Sequence, residues 1–408
     1  MTESRPVLHA NIHKLVASQA LSKLGDNFTE VALALFILSI THHNVADLGI
    51  VLAMAYAPSL ILGWTVAGVI DRFNKRQTLL LSDLMRAVLV ASIPFVHNFI
   101  WTLIAVFTMY SFAMVYRPMV RAIQPQIAGD PATNARSGAR QQTYYAVADM
   151  GSYLAAAGVL FLWGVGPAFW VDAATYLGAA LFLLSINVPD EIWAAINRGG
   201  TRFWRQLADG YRYLKAEPRV GQLTLLSAGT AAGVASLNTF TAPLSKVLWH
   251  VSSQHYVWLL MAMAVGTFIS GWLVERYGLM ERWTPRPLIA AGFVLTGGGY
   301  VLTLVTGNWW LGGLCLLLVG IGNGFFGVAM VVWIQQSTPV SVRARVLSIR
   351  GIGMGLGGAL GASLGGWVGQ TRGIPFAILL SGLLWLVLAI WCASARALGR
   401  DGERGNAA

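Results

Sequence analysis

Charge is scarce in this chain. Only 11% of its 408 residues are Asp, Glu, Lys or Arg, against roughly 25% in soluble domains. With 56% hydrophobic residues and a mean hydropathy of +0.61, that deficit excludes an ordinary water-soluble domain. It leaves an integral membrane protein with little soluble mass. Cysteine is nearly absent: Cys315 and Cys392 lie in separate apolar runs, so neither a disulfide framework nor a cysteine metal site is expected. No cleavable leader is expected either, because Met1 to Asn11 is polar and no small-residue cleavage site follows a short apolar core. Also missing are a Ser/His/Asp-like set, His/Glu metal spacing and a phosphate-binding glycine loop beside a strand. Hence no enzyme, metal or cofactor is expected. His42, His43, His97, His250 and His255 fall at the outer ends of apolar runs, as interfacial residues do.

What is present is a set of about twelve apolar segments, each long enough to span a bilayer at about 20 residues. They cover 15–39, 46–69, 77–96, 99–121, 140–164, 167–187, 222–244, 255–274, 287–306, 309–334, 346–369 and 374–395. The net charge of +11 is scattered between them. It therefore orients the chain in a membrane and does not point to nucleic acid. Alternate loops carry the basic residues, among them Arg72, Lys75, Arg76, Arg136, Arg276, Arg282, Arg343 and Arg345; the opposite loops hold only Lys246 and Arg372. The positive-inside rule then places both termini in the cytoplasm.

The longest polar connection, 188–221, separates six spans from six. The expected domains are a six-helix bundle over 1–187, a cytoplasmic loop over 188–221, and a second six-helix bundle with a short tail over 222–408. The halves echo each other: Gly68-Val-Ile-Asp71-Arg72-Phe73 leaves the second span, and Gly271-Trp-Leu-Val-Glu275-Arg276-Tyr277 leaves the eighth. Six plus six spans in parallel repeat is an arrangement of transporters that rock two halves around a central site.

The first span carries a charged stripe. Gln19, Lys23, Asp26 and Glu30 are spaced 4, 3 and 4 apart, on one helical face. Charges at membrane depth are costly unless they face water or each other, so this face is expected to border a polar path; an ion-pair network that only fixes packing is the plain alternative. Asp26 and Glu30 are candidates to bind a proton or a cationic ligand alternately, with Lys23 holding Asp26 ionised. Asp83 and Arg86, three apart on the third span, are expected to pair. Asp149 and Tyr153 give the fifth span a polar side. Asp172, near the outer end of the sixth, is expected to reach interfacial water. The second half offers Asn238 and Asn323 in place of charge. Gly353, Gly357, Gly361, Gly365 and Gly369 form a ridge without side chains on the eleventh span, suited to close helix contact.

The stretch Gly68-Val-Ile-Asp71-Arg72-Phe-Asn-Lys75-Arg76 resembles the loop motif of the major facilitator superfamily between spans two and three. Leu24-Gly25-Asp26, Ser82-Asp83-Leu-Met-Arg86-Ala87, Gly166-Pro-Ala-Phe-Trp-Val-Asp172-Ala and Trp204-Arg-Gln-Leu-Ala-Asp209-Gly210 resemble the macrolide-efflux and enterobactin-exporter branch of its drug:proton antiporters. Two features depart from that pattern: span five lacks the usual proline, and the arginine of span four, Arg117, comes late, near the cytoplasmic end. The resemblance implies an all-α protein of about twelve transmembrane helices in two pseudo-symmetric bundles. It implies a proton-coupled exporter of amphipathic, drug- or macrolide-like molecules in the bacterial inner membrane, working as a monomer by alternating access. Its partners would be the small substrate and the bilayer, with no nucleic acid. Siderophore export, lysophospholipid transport, and a non-transporting sensor or channel are the alternatives. Lys23, Asp26, Asn27, Glu30, Asp149, Tyr153, Asn238 and Asn323 would serve proton and substrate. Gly68, Asp71, Arg72, Arg76, Asp83 and Arg86 would form a gate, with Asp71 meeting the N-terminus of span eleven and Arg72 and Arg76 binding Asp83 or nearby carboxylates.

Overall fold

The computed structural model describes residues 5–62, 72–129, 131–194, 203–247, 249, 251, 253–282 and 284–394. Among these residues there is no strand. Twelve long helices carry the fold: α1 (Arg5–Ile40), α2 (Val45–Ile61), α3 (Lys75–Val96), α4 (Phe99–Ala128), α5 (Pro131–Trp163), α6 (Val165–Leu184), α7 (Pro218–Val247), α8 (Ser253–Arg276), α9 (Pro285–Thr303), α10 (Trp309–Ser337), α11 (Val340–Arg372) and α12 (Ile374–Ser394). Each coincides with one expected span. Shorter helices cover Asp190–Trp193, Phe203–Ala216 and Leu279–Arg282. Eight of the twelve are long and apolar enough to cross a membrane. The others include α1, diluted by its charged stripe, and α5, whose apolar part is confined to Gly151–Trp163.

Several helices overrun their apolar cores. α1 starts at Arg5, and α4 continues to Ala128 through Pro118 and Pro125. Hydropathy marks where a helix meets lipid, whereas backbone hydrogen bonding continues into polar turns. Helix starts follow side-chain chemistry. Asn74, Asn98 and Asn308 cap α3, α4 and α10 by accepting from the backbone N–H of Gln77, Trp101 and Trp310, the usual service of an N-cap asparagine. Helix ends use left-handed backbone: His42 and His43 follow α1, and His97 follows α3, with φ of 51°, 66° and 45°. Gly164, at φ 82°, makes the turn between α5 and α6 that favours a residue without a β-carbon.

The chain divides into two compact units: Met1–His43 with Ile61–Thr201, and Asn44–Leu60 with Arg202–Ala408. The second helix thus groups with the later helices and not with its sequence neighbours. Helix pairings repeat between the units. α1 packs on α4, α5 and α6, as α7 packs on α10, α11 and α12; α3 packs on α4 and α6, as α9 packs on α10 and α12. These helices pair as their counterparts six places along do, in the manner of a parallel repeat; α8, which packs on α10, has no such counterpart in the first unit, because α2 groups with the second.

In the first unit α1 and α6 run antiparallel and are joined by a ladder of polar contacts. Asn11 Nδ2 donates to Asn187 O at 2.5 Å, Lys14 to Ser185 O at 2.7 Å, and Ser18 to Ala179 O at 3.0 Å. In the second unit the glycine ridge of α11 lies on α7. Gly357 faces the carbonyl of Ala228, Gly361 that of Ala232, Gly365 Ser236 and Gly369 the ring of Phe240. A second set, Gly355, Gly358 and Gly366, receives Ser59, Tyr56 and the Val45–Gly49 turn of α2.

Candidate functional site: an ion-pair cluster beside a polar cavity

The polar ladder between α1 and α6 continues inward to Asp26. Its Oδ1 accepts from Tyr176 OH at 2.5 Å and from Arg86 Nη2. Arg86 Nη2 also donates to Tyr176 OH at 2.6 Å, and Arg86 Nη1 donates to Ser22 Oγ at 3.3 Å. The guanidinium carbon stands 4.0 Å from the centre of the Tyr176 ring. Arg86 is 5% exposed and the Asp26 side chain 26%. A charge so buried persists only when paired and hydrogen-bonded. Three helices, α1, α3 and α6, supply the partners.

Two further carboxyl groups adjoin the cluster, both fully buried. Asp83 lies one turn before Arg86 on α3, with Oδ1 at 3.8 Å from Arg86 Nη1, and neither of its oxygens has a hydrogen-bond partner among the described residues. Asp172 on α6 accepts from Thr29 Oγ1 and lies 3.4 Å from Thr175 Oγ1. It is sealed between α1 and α6, and Gly25 gives it room, since a β-carbon there would overlap Asp172 and Thr175. Asp172 therefore does not reach interfacial water as its position near a helix end suggested.

Asp26 and Arg86 form part of the wall of a cavity of about 350 Å³ that also touches Gln19, Lys23, Arg117, Arg121 and Gln141. A smaller pocket of about 90 Å³ shares Lys23, Asp26, Arg86 and Arg117 with it, and adds Asn27, Glu30, Met109 and Tyr110. The stripe on α1 therefore lies along one side of the space. From Gln19 to Glu30 the helix rises about 16 Å at 1.5 Å per residue. The larger volume lies within the range of small-molecule sites, about 300–1,000 Å³.

Of the residues expected to serve substrate and proton, the structure brings Lys23, Asp26, Asn27 and Glu30 together here. Lys23 Nζ donates to Asn27 Oδ1 at 2.8 Å and Asn27 Nδ2 to Ser152 Oγ at 2.8 Å. The described partners that hold Asp26 are thus Arg86 and Tyr176, in place of the Lys23 that was expected. Tyr153 follows Ser152 on α5, half-buried. The side chain of Asp149 lies outside the described residues. Asn238 and Asn323 belong to the other unit, where Asn323 Oδ1 accepts from Thr296 at 3.3 Å.

Of the expected gate, Gly68 and Asp71 lie outside the described residues, and Arg72 is exposed. Arg76 does not bind Asp83. It donates to Leu184 O at 2.7 Å and stands 5.8 Å from the ring of Trp193. Arg86 forms the expected ion pair with Asp83, Nη1 to Oδ1 at 3.8 Å, and makes its hydrogen bonds at Asp26, Tyr176 and Ser22. Asp26 reaches the guanidinium with a hydrogen-bonded oxygen, whereas Asp83, on the same helix, pairs with it at 3.8 Å without a hydrogen bond.

Sequence reasoning passed over Tyr176, Ser22, Thr29, Arg117 and Arg121. Tyr176 stands one turn from Asp172 on α6, so the two mark a polar face that could have been read from their spacing. With span four expected to stop near 121, Arg117 reads as a helix-end arginine and Arg121 as a loop charge. The helix runs on to Ala128, which puts both on a helix wall.

A family profile for the Major Facilitator Superfamily matches residues 15–279 and again 249–407. An uncharacterised MFS-type transporter of Mycobacterium tuberculosis is 24% identical over 367 residues, covering 86% of this chain and 85% of that one. YfiS of Bacillus subtilis, also an uncharacterised MFS-type transporter, is 21% identical over 399 residues, covering 92% and 91%. Among solved structures, the nucleoside transporter NupG is similar with a TM-score of 0.75 at 14% identity, over 94% of this chain and 98% of that one. A bacterial homolog of the human lysosomal transporter Spinster gives 0.75 at 16%, over 98% and 99%. At such identities the structural likeness carries the fold and not the substrate. The profile covers nearly the whole sequence, and the chain belongs to the Major Facilitator Superfamily: it is a multi-pass membrane transporter and not an enzyme.

Proposed function

We propose that this chain is a secondary active transporter that exports amphipathic small molecules of drug size, coupled to protons, by alternating access. One observation carries the reading. An ion pair, with two further buried carboxyl groups behind it, borders a cavity of ligand size, and two of the three helices that supply these groups, α3 and α6, are long and apolar enough to span a bilayer. A structure that only needed to pack would gain from apolar residues at these positions, because buried ion pairs stabilise little relative to well-packed side chains. Ionisable groups at this depth are a functional site by default. Carboxyl groups can take up and release protons, and Asp26 and Glu30 both border the space that a substrate would enter. The loop charges support a cytoplasmic-membrane protein with both termini in the cytoplasm. Export, as against import, rests on the resemblance to the efflux branch.

Purified protein in proteoliposomes tests this, with a panel of drug-like amphiphiles and an imposed pH gradient of either sign. The expected result is uphill movement of at least one compound that collapses when the gradient is dissipated. Transport that ignores the gradient for every compound, or flux too fast for a carrier, would overturn the proposal.

A further inference from the structure

We infer that the cargo of this cavity carries an acidic group, a carboxylate or phosphate, received by Arg117 and Arg121. The inference rests on the reading of the cavity as a substrate site and adds the chemical class of what enters it.

The two arginines are four residues apart on α4, about 6 Å along the axis, so they project from the same face. Both line the larger cavity. Among the described residues neither has a carboxylate within ion-pair distance. That sets them apart from Arg86, which is engaged by Asp26, Tyr176 and Ser22, and from Arg76 and Arg286, which donate to backbone carbonyls.

The balance of charge on the wall is one-sided. Among the described residues Lys23, Arg86, Arg117 and Arg121 face the larger cavity, and the one carboxylate there, Asp26, is already held by Arg86. Asp83 and Asp172 are sealed in the bundle and do not border the space. Glu30 lies at the far end, in the smaller pocket. Among the described residues, an entering molecule therefore meets two guanidinium groups in the larger cavity, where the one acid is held by Arg86. Guanidinium is the side chain that best matches carboxylate and phosphate, through paired N–H donors. Along α4 the arginines give way to an apolar strip of Ala113, Met109 and the ring of Tyr110, which faces the polar side of α1 across the smaller pocket. Acidic group first and apolar body second describes an amphipathic anion, whether a membrane lysophospholipid or a soluble aromatic acid. A cationic drug fits less well, because its charge would have to pass both arginines to reach Glu30.

Equilibrium binding to the full-length protein in nanodiscs decides this with three probes: naphthylacetate, its cationic counterpart naphthylmethylammonium, and lysophosphatidylglycerol. Saturable binding of either anion, with the ammonium ion at least about tenfold weaker, is expected; charge-assisted hydrogen bonds are of that order. Binding of the lysolipid alone identifies the membrane as the source, and binding of naphthylacetate alone identifies a soluble acid. Replacing both arginines (Arg117→Gln with Arg121→Gln) is expected to weaken anion binding about tenfold or more. The double lysine replacement should hold it within a few-fold, and Arg276→Gln, an exposed charge of the other unit, should leave it unchanged. If the double variant does not fold, competition by inorganic phosphate against the bound anion on the native protein gives the same answer. Equal or tighter binding of the ammonium ion, undiminished anion binding in the double glutamine variant, or no saturable anion binding at all would overturn the inference. Anion binding without gradient-driven transport would sink the exporter reading and leave this one standing. Gradient-driven transport of cations only would do the reverse.

Discussion

Gly25 on α1 faces the carboxyl group of Asp172 on α6 so closely that a β-carbon at position 25 would overlap it. The contact is more than packing. The same carboxyl accepts from Thr29, one turn on from Gly25, so the glycine and the threonine together fit α1 around a buried acid.

Gly25→Ala is therefore expected to push α1 and α6 apart at this level. Forced overpacking of this kind costs about 1–3 kcal/mol. A lowered thermal midpoint in detergent is the expected readout. Asp172→Asn keeps the shape and should retain more stability than Gly25→Ala. The reverse order would show that the charge of Asp172, and not its fit, organises the contact.

Arg86 and Asp26 should respond unequally to removal. Arg86→Gln leaves Asp26, Asp83 and Tyr176 facing a shorter, neutral side chain in a buried place, and breaking a buried pair this way costs about 3–5 kcal/mol. Asp26→Asn leaves the guanidinium with Tyr176, Ser22 and the adjacent Asp83, so its loss should be smaller. Thermal unfolding of the two purified variants measures this. Transport should fail in both, because each removes one charge of the pair that borders the cavity. An Asp26→Asn protein less stable than Arg86→Gln would mean that Asp83 does not substitute as a partner.

Much of this was legible in the sequence, for identifiable reasons. Twelve apolar runs broken by alternately basic loops specify twelve helices, because lipid allows few other structures. The spacing of Gln19, Lys23, Asp26 and Glu30 specifies one helical face, and that face lines the cavity. What the sequence did not show is which groups meet across helices. Lys23 is the near neighbour of Asp26 in the chain, yet Arg86 comes from another helix to hold it. Likewise Arg117 reads as a charge at a helix end until α4 is seen to continue through two prolines. The grouping of α2 with the later helices was not legible either, since it depends on contacts with α11 such as Gly49 against Gly366.

The helix Phe203–Ala216 supplies a test at the second unit. Asp209 lies 3.8 Å from Arg345 on α11, with both side chains well exposed, so the pair is worth little, at most about 1 kcal/mol. Gly210 beside it allows close approach: a β-carbon would stand 2.8 Å from Ile349 Cδ1 and 3.2 Å from Arg345 Cβ. Asp209→Asn should leave hydrogen exchange of 203–216 nearly unchanged, whereas Gly210→Val should accelerate it. A large effect from Asp209→Asn alone would show that charge, and not shape, docks this helix.

The glycine ridge of α11 gives the sharpest contrast between neighbouring sites. A β-carbon on Gly361 would run into the backbone carbonyl of Ala232 on α7, an atom that cannot rotate away. At Gly351 on the same helix nothing lies within 4 Å. Intrinsic propensity favours alanine over glycine in a helix by about 1 kcal/mol, so Gly351→Ala should leave the thermal midpoint unchanged or raise it. Gly361→Ala must instead separate α7 from α11, against the close backbone contact that small residues allow within a membrane. It should lower the midpoint by an amount corresponding to about 1–3 kcal/mol. If the ridge serves only static packing, Gly361→Ala protein that remains folded should transport in proportion to its folded fraction. If α11 must slide on α7 during the cycle, the folded protein should lose turnover beyond that proportion. Measuring transport and folded fraction on the same preparation separates the two.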